Sequence, residues 1–204
     1  MAKERDFTTE EKILETATLV FHEKGYDGAR MQEIADKAQI NKGLLHYYFK
    51  TKDSLFETIF SMALRKMMSQ FQAILLLEVS LENKIDLIVD EYMHMLSKNS
   101  FLPRFVLNEL NKNPDQFIER FVGEKMQKTF ATFSDSIQKE MERGTINPID
   151  SRQLFMNIIS LVMFPFIGRP MIQFVLGADH KEFQLLLKER KDHIKQFIKQ
   201  AIKK

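Results

Sequence analysis

The chain has 204 residues, of which 44% are hydrophobic and 28% are charged, as is ordinary for a globular protein with a substantial core. Its net charge is only +2, so any affinity for nucleic acid must come from a local patch and not from bulk charge. The lack of cysteine excludes disulfides, thiolate metal sites and cysteine nucleophiles, and it agrees with a reducing cytoplasm.

Neither a signal peptide nor a membrane span is predicted. The first six residues are mostly charged and lack the apolar core of a signal peptide. The longest apolar run covers residues 158–167, whereas a span needs about 20 residues. We expect a soluble, cytoplasmic protein without a membrane partner.

The chain is predicted to begin with three helices. Thr8-x-x-Glu11 is a capping box that starts the first helix, and Gly25 or Gly28 ends it. The second helix is predicted over residues 31–38 and the third over residues 42–49, separated by a polar break. Helix, tight turn and second helix form the helix-turn-helix arrangement, in which the second of the two helices reads DNA.

The third helix has two opposite faces. Asn41 is a suitable N-cap, because its side chain can accept the backbone N–H of Gly43 or Leu44. At about 100° per residue, Leu45 and Phe49 point to the interior. Residues 41–52 hold three lysines and no acid, and cations, hydroxyls and aromatic edges suit phosphates and bases. We predict a DNA-contacting side formed by Gly43, His46, Tyr47 and Lys50 and flanked by Lys42 and Leu44, whereas Tyr48 points more loosely to the interior.

Lys52 follows in the first turn of a long fourth helix, which is predicted to run from the N-cap Thr51 to about Glu78. The helix dipole disfavours a cation at that place. A phosphate held by both the lysine and the free N–H groups would remove the conflict. The alternative is a lysine that simply extends into water.

These residues resemble the DNA-binding signature of the tetracycline-repressor (TetR) family. The pattern is I-A-x-x-A at 34–38, K-G-x-L-x-Y-Y-F at 42–49 and K-x-x-L-F at 52–56. The resemblance implies an all-α homodimer with an N-terminal helix-turn-helix DNA-binding domain, residues 1–52, and a C-terminal helical effector-binding and dimerisation domain, residues 53–204. In the family, DNA is contacted at the positions of Lys42, Gly43, His46, Tyr47, Tyr48 and Lys52.

Three residues depart from the family pattern. Gln39 stands where the family usually has glycine at the turn, so a positive φ there would add strain. Arg30 stands where a threonine usually caps the second helix, so the cap falls to Asp27 or is absent. His46 replaces a tyrosine that commonly meets the DNA backbone.

The rest of the chain is predicted to be helical, without strands. The expected helices are 80 or 81 to 98, a short helix from Pro103, one from the cap Asn113 to Arg143, one from Asp150 that Pro165 and Gly168 interrupt, and, after a loop over 168–178, one from the capping box Asp179-x-x-Glu182 to about Ile202.

Methionine and phenylalanine are concentrated after Lys52, with ten of the twelve methionines and fifteen of the eighteen phenylalanines. Such side chains most often fill a core. They also line large adaptable apolar pockets. The candidate residues for an effector pocket are Phe60, Met67, Phe71, Tyr92, Phe105, Phe130 and Phe133.

The last two long helices are predicted to form the dimer interface. The earlier one is apolar on two faces and therefore needs two partners, and the later one has a near-heptad rhythm. In the TetR family the corresponding pair forms a four-helix interface. The candidate interface residues are Phe155, Ile159, Val162, Phe183, Leu187, Ile194 and Phe197.

No arrangement of residues predicts an enzyme, a cofactor or a metal site. The five histidines include no i, i+4 pair. Glu91-x-x-His94 matches half of a di-iron motif, but no second copy is present. The nucleophile elbow, the phosphate-binding glycine loop and the dinucleotide fingerprint are all absent.

Two functions follow from these observations. The first is a homodimeric repressor that binds a palindromic site on double-stranded DNA and is released by a small, mostly apolar effector. The alternative is a DNA-bound interaction protein with a filled core, controlled by a protein partner. An occupied cavity favours the first, and a body with no cavity larger than a few waters favours the second.

Overall fold

The computed structural model describes residues 8–204. Within that range the chain is helical, with one π-helical segment and one isolated bridge between Ile146 and Lys203, which confirms the predicted all-α class. The α-helices are α1 Thr9–Gly28, α2 Met31–Lys37, α3 Lys42–Tyr48, α4 Lys52–Leu75, α5 Leu81–Lys98, α6 Leu102–Lys112, α7 Pro114–Phe117, α8 Gly123–Glu142, α9 Ser151–Ile167, α10 Arg169–Leu176 and α11 His180–Ile202; the π-helical segment is Ile118–Val122.

The predicted helix starts are confirmed where a side chain caps the first turn. Thr8 and Glu11 form the reciprocal capping box of α1, and Asp179 and Glu182 form that of α11. The Asn113 side chain accepts the backbone N–H of Gln116 at 3.3 Å. Each cap satisfies a donor that the helix itself leaves without a partner.

Three predicted helix boundaries were wrong. The helix from Asn113 does not continue to Arg143, because it passes into the π-helical segment and Gly123 then takes φ +52° before α8. The predicted loop over 168–178 contains α10, since Pro170 lies in the first turn, where its missing N–H is not needed. Helix α4 ends at Leu75, whose carbonyl accepts the Lys84 ammonium at 2.7 Å.

The chain divides into two compact units. The first extends to Leu64 and includes Lys98–Leu102, and the second contains Arg65–Ser97 and Pro103–Lys204. This division falls within α4, whereas the functional boundary predicted after residue 52 remains a prediction. In the first unit, the rings of Phe21, Phe56 and Phe101 pack with centroids 4.9–5.9 Å apart and form a core beneath the short helices.

In the second unit, α9 packs against α8, α10 and α11. Lys195 and Lys199 of α11 form ion pairs with Asp90 and Asp86 of α5. Among residues 8–204, no single helix is long and apolar enough to cross a membrane; only α9 and α10 taken together reach that length, and they are bent by 77°.

The structure places the seven predicted dimer residues in different surroundings, and the interface itself stays a prediction. Val162, Phe183 and Ile194 are buried within the protomer, so they present little surface to a second copy. Phe155 and Ile159 line an internal cavity, and Leu187 is half-buried beside a groove next to α5. Of the seven candidates, only Phe197 is largely exposed, at 59%. Periodicity located the apolar faces, but it could not show which face the protomer's own core occupies.

Candidate nucleic-acid interface and apolar cavity

Helix α3 is fixed at both ends and from behind. The Leu44 N–H donates to Asn41 Oδ1 at 2.7 Å, which confirms the predicted cap. Leu45 and Phe49 are buried, and the Phe49 N–H closes the last turn onto the Leu45 carbonyl at 2.8 Å. A Cβ on Gly43 would lie 3.2 Å from the capping oxygen, so a larger residue there would crowd the start of the helix.

The opposite side of α3 is open to solvent. Tyr47 is 80% exposed, and its ring meets that of Tyr48 edge to face with centroids 5.4 Å apart. The structure therefore leaves the predicted DNA-contacting side exposed to solvent. The exposed residues of this side are Lys42, Gly43, Leu44, His46, Tyr47 and Tyr48.

Charges in this unit are sorted between its surfaces. Lys24 pairs with Glu33, and Lys37 pairs with Glu23, each at 2.7 Å. The hydrogen bond from Lys37 lowers the pKa of the Glu23 carboxyl, and the hydrogen bond from Lys24 lowers that of Glu33. Lys42 has no acidic partner within residues 8–204. Its positive charge is consequently available to an external anion.

The turn before α3 contains the strain that the sequence indicated. Gln39 takes φ +56°, a left-handed conformation that disfavours side chains with a Cβ. Arg30 precedes α2 without a side-chain hydrogen bond, so the helix begins with no side-chain cap. Both departures from the family pattern therefore leave local instability in the helix-turn-helix.

Lys52 has a role that the sequence did not indicate. Its ammonium donates to the carbonyls of Tyr26 at 2.8 Å and Ala29 at 3.2 Å, and it lies 4.3 Å from the centre of the Tyr26 ring. These contacts give hydrogen-bond partners to carbonyl oxygens at the C-terminal end of α1, and they attach α4 to α1. The side chain does not extend into water, and its predicted phosphate contact stays a prediction.

The second unit encloses an apolar cavity of about 100 Å³. Its walls come from α4, α5, α8 and α9, and Thr129 is the one lining residue besides Tyr92 that carries a polar side-chain atom. The Thr129 hydroxyl donates to the Lys125 carbonyl of its own helix, so it offers no donor to a ligand. The cavity is lined by Met67, Met68, Phe71, Leu75, Ile88, Tyr92, Met126, Thr129, Phe130, Phe133, Phe155, Ile158 and Ile159.

Five of the seven predicted pocket residues line this cavity: Met67, Phe71, Tyr92, Phe130 and Phe133. Two do not. Phe60 is buried in the first unit, and the Phe105 ring packs near that of Phe117 with centroids 6.5 Å apart. The missed residues of α8 had a usable signal, because positions 126, 129, 130 and 133 recur with the i, i+3, i+4, i+7 spacing of one helical face.

Tyr92 brings a polar atom to this cavity. Burial raises the pKa of its hydroxyl to about 12, because a phenolate would lose its hydration. The hydroxyl therefore keeps its proton at neutral pH and can donate a hydrogen bond. Within residues 8–204 it has no hydrogen-bond partner. No group of three or more histidine, aspartate or glutamate side chains in the described range could hold a metal ion.

Known proteins match both the helix-turn-helix and the rest of the chain. The family model described as bacterial regulatory proteins, tetR family, matches residues 13–59. A Bacillus subtilis (strain 168) protein named probable HTH-type transcriptional regulator YttP is 25% identical over 174 residues, covering 83% of this chain and 82% of that relative. Residues 13–59 therefore carry the sequence of a TetR-family helix-turn-helix.

Two further comparisons agree at lower coverage or identity. IcaR from Staphylococcus aureus (strain Newman), a negative transcriptional regulator of the biofilm operon icaADBC, is 43% identical over 47 residues, which are 23% of this chain and 25% of that relative. The ketosteroid transcriptional regulator KstR2 of Mycobacterium tuberculosis has the same fold, with a TM-score of 0.69 at 15% identity and full coverage of both chains. These comparisons are thus with transcriptional regulators, and the helix-turn-helix match over residues 13–59 indicates DNA binding.

Proposed function

We propose that the chain is a homodimeric repressor that binds a palindromic operator through the exposed side of α3. The observation that carries this proposal is the open, acid-free surface around Lys42 and Tyr47, supported from behind by buried Leu45 and Phe49. Two copies of α3 enter successive major grooves about 34–36 Å apart. Lys42, Tyr47 and Tyr48 hold phosphates, and Gly43, Leu44 and His46 approach base edges.

The DNA-binding surface is tested by titrating selected genomic fragments with Lys42→Ala plus Tyr47→Ala. The double variant loses operator binding but keeps its helical content. Lys42→Ala alone reduces the slope of log K against log salt by about 1.8, because the dimer loses two phosphate contacts that each contribute about 0.9 on duplex DNA. Lys181→Ala, an exposed lysine of the second unit, is the matched control and leaves affinity and slope unchanged. Unchanged affinity of the double variant would refute the surface.

The proposed dimer surface is the exposed apolar side of α9, α10 and α11. Phe174 is 88% exposed, and Phe164 and Phe197 are also exposed. Monomers rarely leave so many large apolar side chains in water within one segment. A second copy of the same chain is the natural cover, because TetR-family regulators commonly form dimers. The other exposed apolar residues of these helices are Met156, Met171, Val175, Leu176, Leu185 and Leu186.

Sedimentation equilibrium of Phe164→Asp plus Phe197→Asp tests this dimer. In a dimer, the two new aspartates of each protomer would be buried in the interface and would face those of the other copy. This cost would dissociate the protein into monomers. Leu19→Asp changes an equally exposed apolar residue of α1 and is the control. A wild-type protein that sediments as a monomer, or a double variant that still dimerises like wild type, contradicts the assignment.

The proposed effector site is the cavity beside Tyr92. Its volume of about 100 Å³ is smaller than the roughly 150 Å³ of an engineered cavity that binds benzene and the 300 Å³ or so at which ligand pockets begin. An effector must therefore enlarge it. Met67, Met68 and Met126 supply flexible walls that can move, and α4 contributes the first two. Effector binding thus favours a conformer in which α4 is displaced. If DNA prefers the other conformer, thermodynamic linkage makes effector binding and DNA binding oppose each other.

The effector site is tested with straight-chain alcohols, octanol first, as defined apolar probes. They raise the melting temperature and weaken operator binding of the wild type. Ile159→Phe reduces the free volume of the cavity, so this variant binds the operator but does not respond to the probe. A probe response that survives in Ile159→Phe would show that the probe binds elsewhere.

The alternative is a DNA-bound interaction protein without a small-molecule site. The cavity volume equals about three waters at roughly 30 Å³ each, so volume by itself favours this alternative. The apolar lining with a single free tyrosine hydroxyl favours the effector. Purification of the chain with a stoichiometric protein partner, together with failure of every apolar probe to shift its melting temperature, would favour the alternative.

A further inference from the structure

The ring of His46 is held by the backbone that follows α3. Its Nδ1 lies 3.1 Å from the Lys50 carbonyl oxygen. A carbonyl oxygen can only accept, so the proton in this hydrogen bond belongs to Nδ1. In the neutral imidazole the second nitrogen, Nε2, then carries a lone pair and no proton. The local structure therefore selects one tautomer.

Nε2 is the ring nitrogen that remains for an external contact. His46 lies on the exposed side of α3, and no side-chain or backbone group within residues 8–204 occupies Nε2. Because Nδ1 turns back toward Lys50, the opposite edge of the ring is directed away from that carbonyl. The surface thus presents a hydrogen-bond acceptor at this position, among lysine and tyrosine side chains that present donors.

We propose that His46 is a specificity-determining residue that accepts a hydrogen bond from an exocyclic amino group in the major groove, adenine N6 or cytosine N4. This inference rests on the proposed operator-binding function. Those two amino groups are the only base donors in the major groove, whereas guanine O6 and N7 and thymine O4 accept. Phosphate oxygens are also acceptors. An acceptor on guanine, thymine or phosphate would therefore face the Nε2 lone pair with no proton between the two atoms.

This assignment gives position 46 a different role from that of the tyrosine that the TetR family usually has there. A tyrosine hydroxyl can donate to a phosphate and so fixes the register of the protein on the duplex without reading sequence. Neutral His46 in the observed tautomer cannot make that contact. The residue therefore specifies a base in each half-site, and the phosphate contacts fall to Lys42 and the exposed tyrosines.

Parallel selection from randomised duplex DNA tests the proposal without a known operator. Wild type and His46→Ala are selected in parallel under identical buffer conditions. Wild type enriches one base pair at one position of each half-site, and His46→Ala loses that preference alone. Identical preferences for the two proteins overturn the assignment. Failure of wild type to enrich any sequence instead overturns the proposed operator binding.

Removal of the amino group from the selected base gives a direct measure. Purine replaces adenine, or pyrimidin-2-one replaces cytosine, in the duplex that wild type prefers. Wild-type affinity falls about three- to tenfold, as expected for one hydrogen bond, and His46→Ala discriminates less than about twofold. The two replacements separate adenine from cytosine readout. Equal losses in wild type and His46→Ala show that the analogue acts through the duplex and contradict the contact.

Nitrogen NMR of histidine-labelled protein reports the tautomer itself. The His46 signal is assigned by its absence from the His46→Ala spectrum. At about pH 8 the proton is expected on Nδ1, and the Nε2 resonance is expected to have the shift of an unprotonated nitrogen. A His46 ring protonated on Nε2 would remove the acceptor and overturn the inference, whatever the outcome of the selection.

Discussion

Arg190 supplies the hydrogen bond that a proline removes from α9. Pro165 is buried inside this helix and has no N–H to donate to the carbonyl of Leu161, four residues earlier. The Arg190 guanidinium of α11 donates to that carbonyl at 3.2 Å. A buried carbonyl without a partner is destabilising. We predict that the contribution of Arg190 to stability depends on Pro165.

The loss of stability in an Arg190 variant can be worked out from the hydrogen-bonding groups involved. A hydrogen bond from a charged donor contributes about 1.5–3 kcal/mol. Arg190 Nε is itself buried without a partner in the described chain, and its removal offsets about 1 kcal/mol of the loss. Arg190→Met, which keeps the apolar stem, therefore destabilises the fold by about 0.5–2 kcal/mol, or roughly 1–8 °C in melting temperature for a chain of this size.

A double-mutant cycle in urea isolates this dependence. In Pro165→Ala the new N–H at position 165 satisfies Leu161 from within the helix, so Arg190→Met then costs less than about 0.5 kcal/mol. The coupling energy of about 1 kcal/mol lies in the range found for residues that share a partner. All four proteins are compared at one protomer concentration, because a dimer's stability depends on it. An equal cost of Arg190→Met in both backgrounds would refute the reasoning.

Three further predictions concern local backbone and charge. Gln39→Gly removes the strain of φ +56° and stabilises the fold by up to about 1 kcal/mol in urea unfolding; Gln39→Ala keeps the strain and serves as control, so equal gains would exclude strain as the cause. Arg30→Ser supplies the missing cap of α2 and adds about 1 kcal/mol over Arg30→Ala, and no difference between the two would mean that the hydroxyl does not cap. Hydrogen bonds from Arg152 lower the pKa of Asp150 from 3.8 to about 2. The difference in free energy of unfolding between wild type and Asp150→Asn is therefore constant above about pH 5 and shrinks as the pH falls toward 2. A difference that persists at pH 2 would contradict the pairing of Asp150 with Arg152.

Helix starts were predictable because each is decided within four residues. The caps at Thr8, Asn41 and Asp179 act on N–H groups two or three positions later, and no distant residue intervenes. The positive φ of Gln39 followed from its place in the turn in the same way. Local chemistry therefore predicted the helix-turn-helix and its exposed side.

Residues decided by distant contacts were not predictable. The role of Lys52 depends on carbonyls 23 and 26 positions earlier, and the role of Arg190 depends on one 29 positions earlier. The choice between core and interface for Val162 and Ile194 depends on which helix covers each face. Periodicity marks a face as apolar, but it does not name the neighbour that buries it.

Helix α4 makes different contacts at its two ends, and each set places a different demand on its residues. Its first turn carries the Lys52 ammonium that binds the end of α1, and its later turns place Met67, Met68 and Phe71 in the cavity wall. The helix is continuous from Lys52 to Leu75, so its intrahelical hydrogen bonds resist bending between these two ends. A ligand that needs more than the present volume must move the methionine wall, and a helix that does not bend transmits such a displacement along its axis. The small size of the cavity is for this reason an argument in favour of coupling, since a preformed pocket would bind its effector without displacing α4.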